Sequence, residues 1–552
     1  MLQPWHARYD AGVRPTLAPY PDRTLLDYLA DAVRERPDHT ALIFKGRAMS
    51  CAELDRLSSA FAASLAARGV RRGDRIALVL PNAPQFLIAE LGAWKAGAVV
   101  VPLNPMYTEG ELQDALARTG AEIVVALTPF VPRVKACQPN TRVRLVVVTN
   151  VKEYLPPLQR MLFTLFRERS GGHRVRLGRG DLRLGDLLRA HSGDARPAAP
   201  IRLDDPAVIL MSGGTTGTAK GVVGSHRSYV MAGLQIREWV RSLCHDWHDT
   251  LMLPLPLSHV YANVGVQSLA LIAHNPLVLV PNPREIDDVL ATIDAARPTF
   301  FTGVPTLFIA LCNHPRVKAG GVDFTSIKVC FSGAAPLLAD TKRRFEDLTG
   351  GRLVEGYSLT EAMMACLVNP LQGANKIGSV GLPLPDVEVA IVDSDEGQTP
   401  LASGHVGEVM LRAPQLMVSY WNNAAETDIA LRQQGDGGRW LHTGDLGYLD
   451  EDGYLFLVDR QKDLIKTSGY QVWPREIEEA LASHPAVAEA GAGVVADPPK
   501  GQVAWPGSSC ARVRPRRNRN CRTIAAAGWR RTRFRRASSF DAICRRRWLE
   551  KC

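Results

Sequence analysis

Ala207-Val208-Ile209-Leu210-Met211 runs directly into Ser212-Gly213-Gly214-Thr215-Thr216-Gly217-Thr218-Ala219-Lys220-Gly221. The five apolar residues predict a short strand buried on both faces. The residues that follow are small or hydroxylated, with one lysine. Small residues let a backbone approach a polyanion closely, hydroxyls and amides donate hydrogen bonds, and the lysine adds a point charge. A plain linker can share this composition. The order is what separates them: strand, serine, Gly/Thr cluster, then Lys-Gly. No glycine directly precedes Lys220, so this is not a Walker-type loop.

Outward from this point, strand-like runs alternate with helical spacing. Arg75–Leu80, Ala98–Pro102, Glu122–Leu127 and Val143–Val148 are rich in Val, Ile and Leu, and Ala52–Arg68 has apolar residues at helical intervals. This alternation predicts an α/β fold of parallel sheets covered by helices. Leu87–Leu103 reads as a buried helix followed by a strand, although it carries Glu90 and Lys95. Gly171–Pro200 is polar, Arg- and Gly-rich, and predicts an exposed loop or insertion. Trp473–Ser483 predicts a helix, with Pro474 in its first turn and Glu476, Glu478 and Glu479 where the helix dipole favours acids.

A chain of 552 residues implies two or three domains. Hydrophobic residues at 46% and charged residues at 22% indicate a globular protein. Met1–Asp10 has no apolar stretch of signal-peptide type, and no run reaches the ~20 apolar residues of a spanning helix. The ten cysteines show neither paired nor zinc-type spacing, so reduced thiols and a cytoplasmic setting are expected. The net charge of +10 is unevenly placed. Residues 501–552 carry fourteen Arg and Lys551 against Asp541 and Glu550, a balance of +13 that leaves −3 for the rest.

Further segments follow in order: Leu253-Pro254-Leu255-Pro256-Leu257-Ser258-His259, Phe331-Ser332-Gly333-Ala334-Ala335-Pro336-Leu337, Gly356-Tyr357-Ser358-Leu359-Thr360-Glu361, Leu441-His442-Thr443-Gly444-Asp445, Asp459-Arg460 and Lys466-Thr467-Ser468-Gly469-Tyr470. Singly, each says little; a lone His, Tyr or Glu is more often structural. Together with Ser212–Gly221 they resemble the signature segments of the adenylate-forming (AMP-binding) superfamily. The usual pattern has Ser at Gly213 and Pro at Ala219. Tyr20–Leu25 and Val151–Pro157 are most similar to bacterial long-chain fatty acid–CoA ligases.

That resemblance implies a large α/β domain over 1–461, with parallel sheets, helices and a distorted β-barrel, and the start of a small α+β domain over 462–502. It implies ATP and magnesium as cofactors and a fatty acid and CoA as substrates. By resemblance, Ser212, Gly213, Gly214, Thr215, Thr216, Gly217 and Lys220 hold phosphates, and His259 lines the acyl pocket. Gly333, Ala334 and Gly356 lie on the adenine side, Tyr357 stacks on adenine, Thr360 meets phosphate and Glu361 holds Mg2+. Asp445 and Arg460 bind ribose, a job suited to a carboxylate that accepts two hydrogen bonds. Lys462 marks the hinge, and Lys466 and Gly469 border the CoA tunnel. Two other readings stay open: a non-catalytic ATP- or acyl-binding remnant, and a ligase for an aryl or shorter acid. A long acyl substrate is consistent with peripheral membrane contact, but the sequence shows no amphipathic anchor.

After Lys500-Gly501-Gln502 the resemblance stops, and 503–552 is rich in Arg, Cys, Trp and Ser with no strand or helix period. A basic arm for nucleic acid, a solvated tail and a reading-frame slip are the alternatives. The slip has internal support. If the true frame begins at the third base of each codon, Trp529–Arg535 can encode Leu-Ala-Pro-Tyr-Lys-Val-Pro, Trp505–Val513 can encode Ala-Trp-Val-Val-Leu-Arg-Pro-Gly, and Ala542–Cys552 can encode a run ending Val-Gly-Lys-Val. These resemble the family's missing C-terminal segments in order, including its Gly-Lys. The segment 503–552 is therefore read as out of frame and disordered, the ligase activity of this chain is expected to be impaired, and no nucleic-acid partner is expected. Sequencing the gene across codons 495–552 is expected to find one frame change near codon 503; an intact frame there overturns this reading.

Overall fold

The computed structural model describes residues 3–193, 201–212, 219–393, 397, 399–433 and 438–460, together with the strand backbones 465–467, 470–472, 487–497 and 501–510. The chain divides into two compact units. The first holds Met1–His405, Val409–Thr443 and Tyr448–Phe456; the second holds Val406–Glu408, Gly444–Gly447 and Leu457–Cys552.

The strand predicted at Ala207–Met211 is Pro206–Ser212, and Lys220–Ser225 folds back on it antiparallel, placing Lys220 opposite Ser212. These strands sit in an eight-stranded sheet. Its order is Ser419–Tyr420, Lys220–Ser225, Pro206–Ser212, Val99–Pro102, Arg75–Val79, Ile123–Leu127, Leu145–Thr149, Leu182–Arg183. The four central strands are parallel and nearly all apolar, as expected where helices cover both faces. Alternate residues, such as Ala77, Val99, Val124 and Val146, build one face against Leu112 and Leu116 of the helix Glu109–Thr119. Thr108 caps that helix in a reciprocal box with Glu111, and Gly120 ends it at φ 62°.

A nine-stranded sheet follows the order Leu382–Pro383, Met364–Val368, Arg352–Leu359, Val329–Ser332, Phe300–Gly303, Leu251–Leu253, Leu277–Leu279, Thr40–Phe44, Arg47–Ser50. Phe345 anchors its core, with ring centroids 4.9 Å from Phe308 and 5.8 Å from Phe324. A third sheet runs Glu388–Val392, Gly407–Arg412, Arg439–Leu449, Leu431–Gln433.

The helix Pro84–Lys95 is buried all round, and the strand Val99–Pro102 follows it as expected. Gly92 is required there: a Cβ would lie 2.8 Å from Phe61 Cδ1 and from the Ser58 carbonyl of the helix Cys51–Ala66. Both buried charges of the helix are satisfied. Lys95 Nζ donates to Asp55 Oδ1 at 2.6 Å and to Ser58 Oγ at 2.7 Å. Glu90 accepts from Asn263 Nδ2 at 2.8 Å and from Gln267 Nε2 at 2.6 Å. Asn263 lies inside a π-helical segment, Tyr261–Val266, and its Oδ1 accepts from the Tyr229 hydroxyl.

Two expectations need correction. Gly171–Pro200 is not loop throughout: Leu182–Arg183 joins the first sheet, and the helix Leu184–Ala190 buries Leu184, Leu187 and Leu188. Its three leucines pack inward despite the polar surroundings. The strand pattern also does not end at Gln502. Gly501–Cys510 pairs antiparallel with Val487–Asp497, because ladder formation needs only backbone groups and a nearby partner. The predicted helix Trp473–Ser483 lies outside the described residues. The six cysteines whose side chains are described are all buried and free. No helix among the described residues is long and apolar enough to cross a membrane.

Burial pushes the Glu90 carboxyl up to about 7, against the pull of its two amide donors. The folded state thus holds this proton more tightly than the unfolded chain. The stabilisation is present below the ordinary carboxylate pKa and is lost as pH rises through about 7. Urea unfolding of wild type and Glu90→Gln at pH 5 and pH 8 is expected to show wild type losing up to roughly 3 kcal/mol relative to the variant. Parallel pH profiles overturn it.

Candidate active site

Leu251–Leu253, Phe300–Gly303, Val329–Ser332 and Arg352–Leu359 are parallel neighbours, so their C-terminal ends share one edge. Ligand sites of open α/β sheets form at such edges. Here the edge delivers the segments leading to His259, Gly303, Gly333–Ala334 and Gly356–Glu361. The loop to His259 is held by one side chain, Asn82. Its Nδ2 donates to the carbonyls of Leu253 (3.0 Å) and Leu255 (2.7 Å), and its Oδ1 accepts from Leu257 N–H at 2.9 Å.

His259 is open at its surface, yet the surrounding protein lowers its pKa by desolvation. It is neutral at pH 7, and its Nδ1 accepts from the Tyr261 N–H at 3.3 Å. Tyr261 in turn donates its hydroxyl to the Phe331 carbonyl at 3.0 Å. Its ring fills the space beside Gly333, where a Cβ would come within 3.1 Å of Cε1. Ala334 follows at φ 68°, a left-handed turn that sends the chain away from the strand.

Tyr357 is buried, while Gly356, Thr360 and Glu361 are half-buried. Directly after them, Met363 and Met364 both have positive φ, 53° and 128°. Met364 then turns back against Gly265, where its sulfur lies 2.3 Å from the position a Cβ would take.

Lys220 and Glu361 converge on a residue that the sequence reading did not single out, Tyr420. The short strand Ser419–Tyr420 pairs with Lys220–Ser225, placing Tyr420 opposite Val222. Its hydroxyl donates to Glu361 Oε1 at 2.9 Å, and the Lys220 ammonium lies 4.9 Å from its ring centroid. Burial, and then the Glu361 charge, raise the tyrosine pKa, so the hydroxyl stays protonated and donating. Lys220 Nζ also pairs with Glu426 at 2.5 Å. Ser212 is buried, and its Oγ reaches the Lys220 carbonyl at 3.5 Å.

Behind this edge lies an apolar pocket. Its walls include Trp239, Tyr261, Phe300, Phe331, Met364 and Leu384, and among the described residues no Asp, Glu, Lys, Arg or His lines it. Gly333, Gly356 and Ser358 line it as well, so it opens beside the loops that carry Ala334, Tyr357 and Thr360.

In the second unit, Asp445 is buried, and Gly444 N–H donates to Glu408 Oε1 at 3.1 Å. Arg460 ends the strand Leu455–Arg460, and Lys466 lies on the strand Ile465–Thr467. Gly213, Gly214, Thr215, Thr216, Gly217, Lys462 and Gly469 lie outside the described residues.

The AMP-binding enzyme family model matches residues 29–421. The chain belongs to the AMP-binding enzyme family. Within that family it is similar to a long-chain-fatty-acid–CoA ligase of Bacillus subtilis (strain 168), 34% identical over 502 residues, covering 91% of this chain and 88% of the relative. A long-chain-fatty-acid–CoA ligase of Escherichia coli O157:H7 is 32% identical, with 89% and 86% covered. Among solved structures, ATP-bound MatB from Rhodopseudomonas palustris superposes with a TM-score of 0.73 at 28% identity, over 88% of each chain. A benzoate CoA ligase from Burkholderia xenovorans LB400 shares the fold at TM-score 0.76 and 23% identity, over 94% of each chain. The AMP-binding fold thus accounts for the sheets and the edge described above.

Tyr420, Glu426, Tyr261 and Asn82 all shape this candidate site without belonging to the glycine- and threonine-rich segments. The only sequence signal was position: Tyr261 follows His259 by two residues, and Asn82 ends the run after Arg75–Val79. Tyr420→Phe removes the hydroxyl that fixes Glu361 while leaving the ring under Lys220. This is expected to lower kcat about tenfold, about 1.4 kcal/mol, in a nucleotide-dependent pyrophosphate-release assay. An unchanged kcat overturns the positioning role.

Proposed function

We propose that this chain is a form of a fatty acid–CoA ligase, which activates the acid with ATP and passes the acyl group to CoA, and that its activity is impaired where 503–552 replaces the family's C-terminal segments. The observation that carries the reading is the apolar pocket behind the Gly333 and Gly356 loops, where no charged side chain lines the wall among the described residues. An alkyl chain gains from leaving water for such a space, while a second carboxylate would find no cation there. The names of the relatives of Bacillus subtilis and Escherichia coli support the same substrate class.

In the first step, a carboxylate oxygen of the acid bonds to the α-phosphorus, and the bond to the pyrophosphate oxygen breaks. In the second, the CoA sulfur bonds to the acyl carbon, AMP leaves, and the thiol proton is released. The first step brings negative groups together, so a fixed cation lowers its barrier. Lys220 supplies one, once an incoming phosphate displaces Glu426. Thr215, Thr216 and Thr360 are the proposed phosphate donors and Tyr357 the adenine platform; Asp445 and Arg460 are proposed to hold the ribose.

Magnesium fits the site in one limited way. No group of three or more metal-ligating side chains exists among the described residues, but Glu361 keeps one carboxylate oxygen beyond its bond from Tyr420. A lone carboxylate suits a magnesium ion that takes its other ligands from phosphates and water. Bound there by Glu361, it would offset phosphate charge.

Two other readings have observations in their favour. The aromatic walls Trp239, Phe300 and Phe331 would also suit an aryl acid. The break in family pattern after Gln502 favours a form that binds ATP and acid but turns over poorly. One assay separates the three: pyrophosphate release and acyl-CoA formation with fatty acids of increasing length, against benzoate. The proposal expects release that rises with chain length and falls at least about a hundredfold in Lys220→Ala. Preference for benzoate supports the aryl reading, and binding of ATP without pyrophosphate release supports the remnant.

A further inference from the structure

The segment Pro157–Leu162 is α-helical and continues as a π-helical turn, Phe163–Arg167. Pro157 opens it, at a position where the missing N–H costs nothing. One side is tied down. Glu168, just past its end, is buried and accepts from Lys152 Nζ at 2.6 Å and Asn150 Nδ2 at 3.3 Å. Phe163 packs edge-on against His173, with ring centroids 4.9 Å apart.

The other side is covered by nothing among the described residues. Leu158, Met161, Leu162, Leu165 and Phe166 fall at i, i+3, i+4, i+7 and i+8, the spacing of a single helical face, and are 43–70% exposed. Five of the eleven exposed large apolar side chains among the described residues thus crowd into nine positions, whereas the others are scattered. Scattered exposed apolar residues need no explanation, but a contiguous face does.

The surrounding charge says what covers it. Arg160, Arg167, Arg169, Arg174, Arg176 and Arg179 are all exposed, and none has an ion-pair partner among the described residues. The one acid between 157 and 180 is Glu168, already paired with Lys152. A second copy of the chain would bring six more arginines against these six. An anionic surface with an apolar interior meets both halves of the patch. Short helices with an apolar face and a basic surround lie in the plane of such membranes, and clusters of four to eight basic residues favour anionic headgroups.

We infer that the face formed by Leu158, Met161, Leu162, Leu165 and Phe166 is a peripheral anchor that seats this chain on an anionic lipid bilayer. The sequence reading found no amphipathic anchor. The periodicity is legible in the sequence, but the same pattern describes a helix packed on a core, and only the structure shows the face uncovered among the described residues. The inference stands on the surface alone and is independent of the proposed ligase activity.

The test is flotation of the full chain with vesicles of phosphatidylethanolamine and phosphatidylglycerol, against neutral phosphatidylcholine. Wild type is expected to float with the anionic vesicles, and Leu165→Glu/Phe166→Glu to bind them at least about tenfold more weakly. Both proteins carry the arginine-rich stretch after Gln502, so the difference between them reports the helix. Both sites are exposed, so unchanged thermal unfolding is the folding control. If the double variant unfolds early, Arg174→Glu/Arg176→Glu/Arg179→Glu is the second test and is expected to weaken anionic binding and flatten its salt dependence. Phe166→Trp in brominated phosphatidylglycerol is expected to show quenching of the added indole beyond that of wild type. Equal flotation of wild type and variants, no added quenching in Phe166→Trp, or a solution dimer that the glutamates dissolve without changing flotation would each overturn the anchor.

Discussion

One buried carboxylate joins the two large sheets of the first unit. Glu90 rides on the helix Pro84–Lys95, which follows the first sheet's strand Arg75–Val79, and both its oxygens are taken by amides of the segment that follows His259. Asn263 is at once donor to Glu90 and acceptor from Tyr229, so three elements meet on one side chain. The surroundings exclude water, where an unpaired carboxylate would be costly. The bonds therefore fix the register of the π-helical segment against the sheet, and that segment supplies Tyr261, Gly265 and Val266 to the cavity wall. π-helical turns concentrate at functional sites, and this one has an identifiable support.

Asn82 acts in the same way from the same loop region. Its three bonds to Leu253, Leu255 and Leu257 satisfy a proline-interrupted stretch that cannot form a regular ladder. The site edge of the second sheet is thus shaped partly by residues of the first. The chemistry-bearing side chains vary in their support: Glu361 is fixed by Tyr420, whereas Lys220 is held by an ion pair with a partly exposed partner.

The parallel core was legible because buried strands leave an unmistakable mark. Val99-Val100-Val101 and Val146-Val147-Val148 have no polar residue to turn toward water. The helix around Glu90 and Lys95 was legible too, since the apolar residues outnumbered its charges. What stayed hidden was mostly long-range. Tyr420 meets Glu361 across 59 positions and Lys220 meets Glu426 across 206, and no local pattern encodes such pairings. The hairpin strand Gly501–Cys510 was missed because its proline and glycines carry no two-residue alternation, while backbone pairing does not require one. The loop reading of Gly171–Pro200 failed for a related reason: three leucines in seven residues were outweighed by the arginines around them.

The pair between Lys220 and Glu426 has a consequence for selectivity among anions. A site that waits with a bare ammonium recruits whatever anion is abundant, chloride included. Here the cation already has a tethered counterion, and a newcomer must outcompete a carboxylate that is present at the high local concentration of a neighbouring side chain. A monovalent ion gains nothing by that exchange. A polyphosphate brings several charges and can also engage the backbone beside the lysine, so it wins where a single charge does not. Glu426 is 40% exposed, which keeps the pair weak enough to yield. In the proposed reaction the glutamate acts as a charge-valence filter at Lys220, favouring polyanions over single charges.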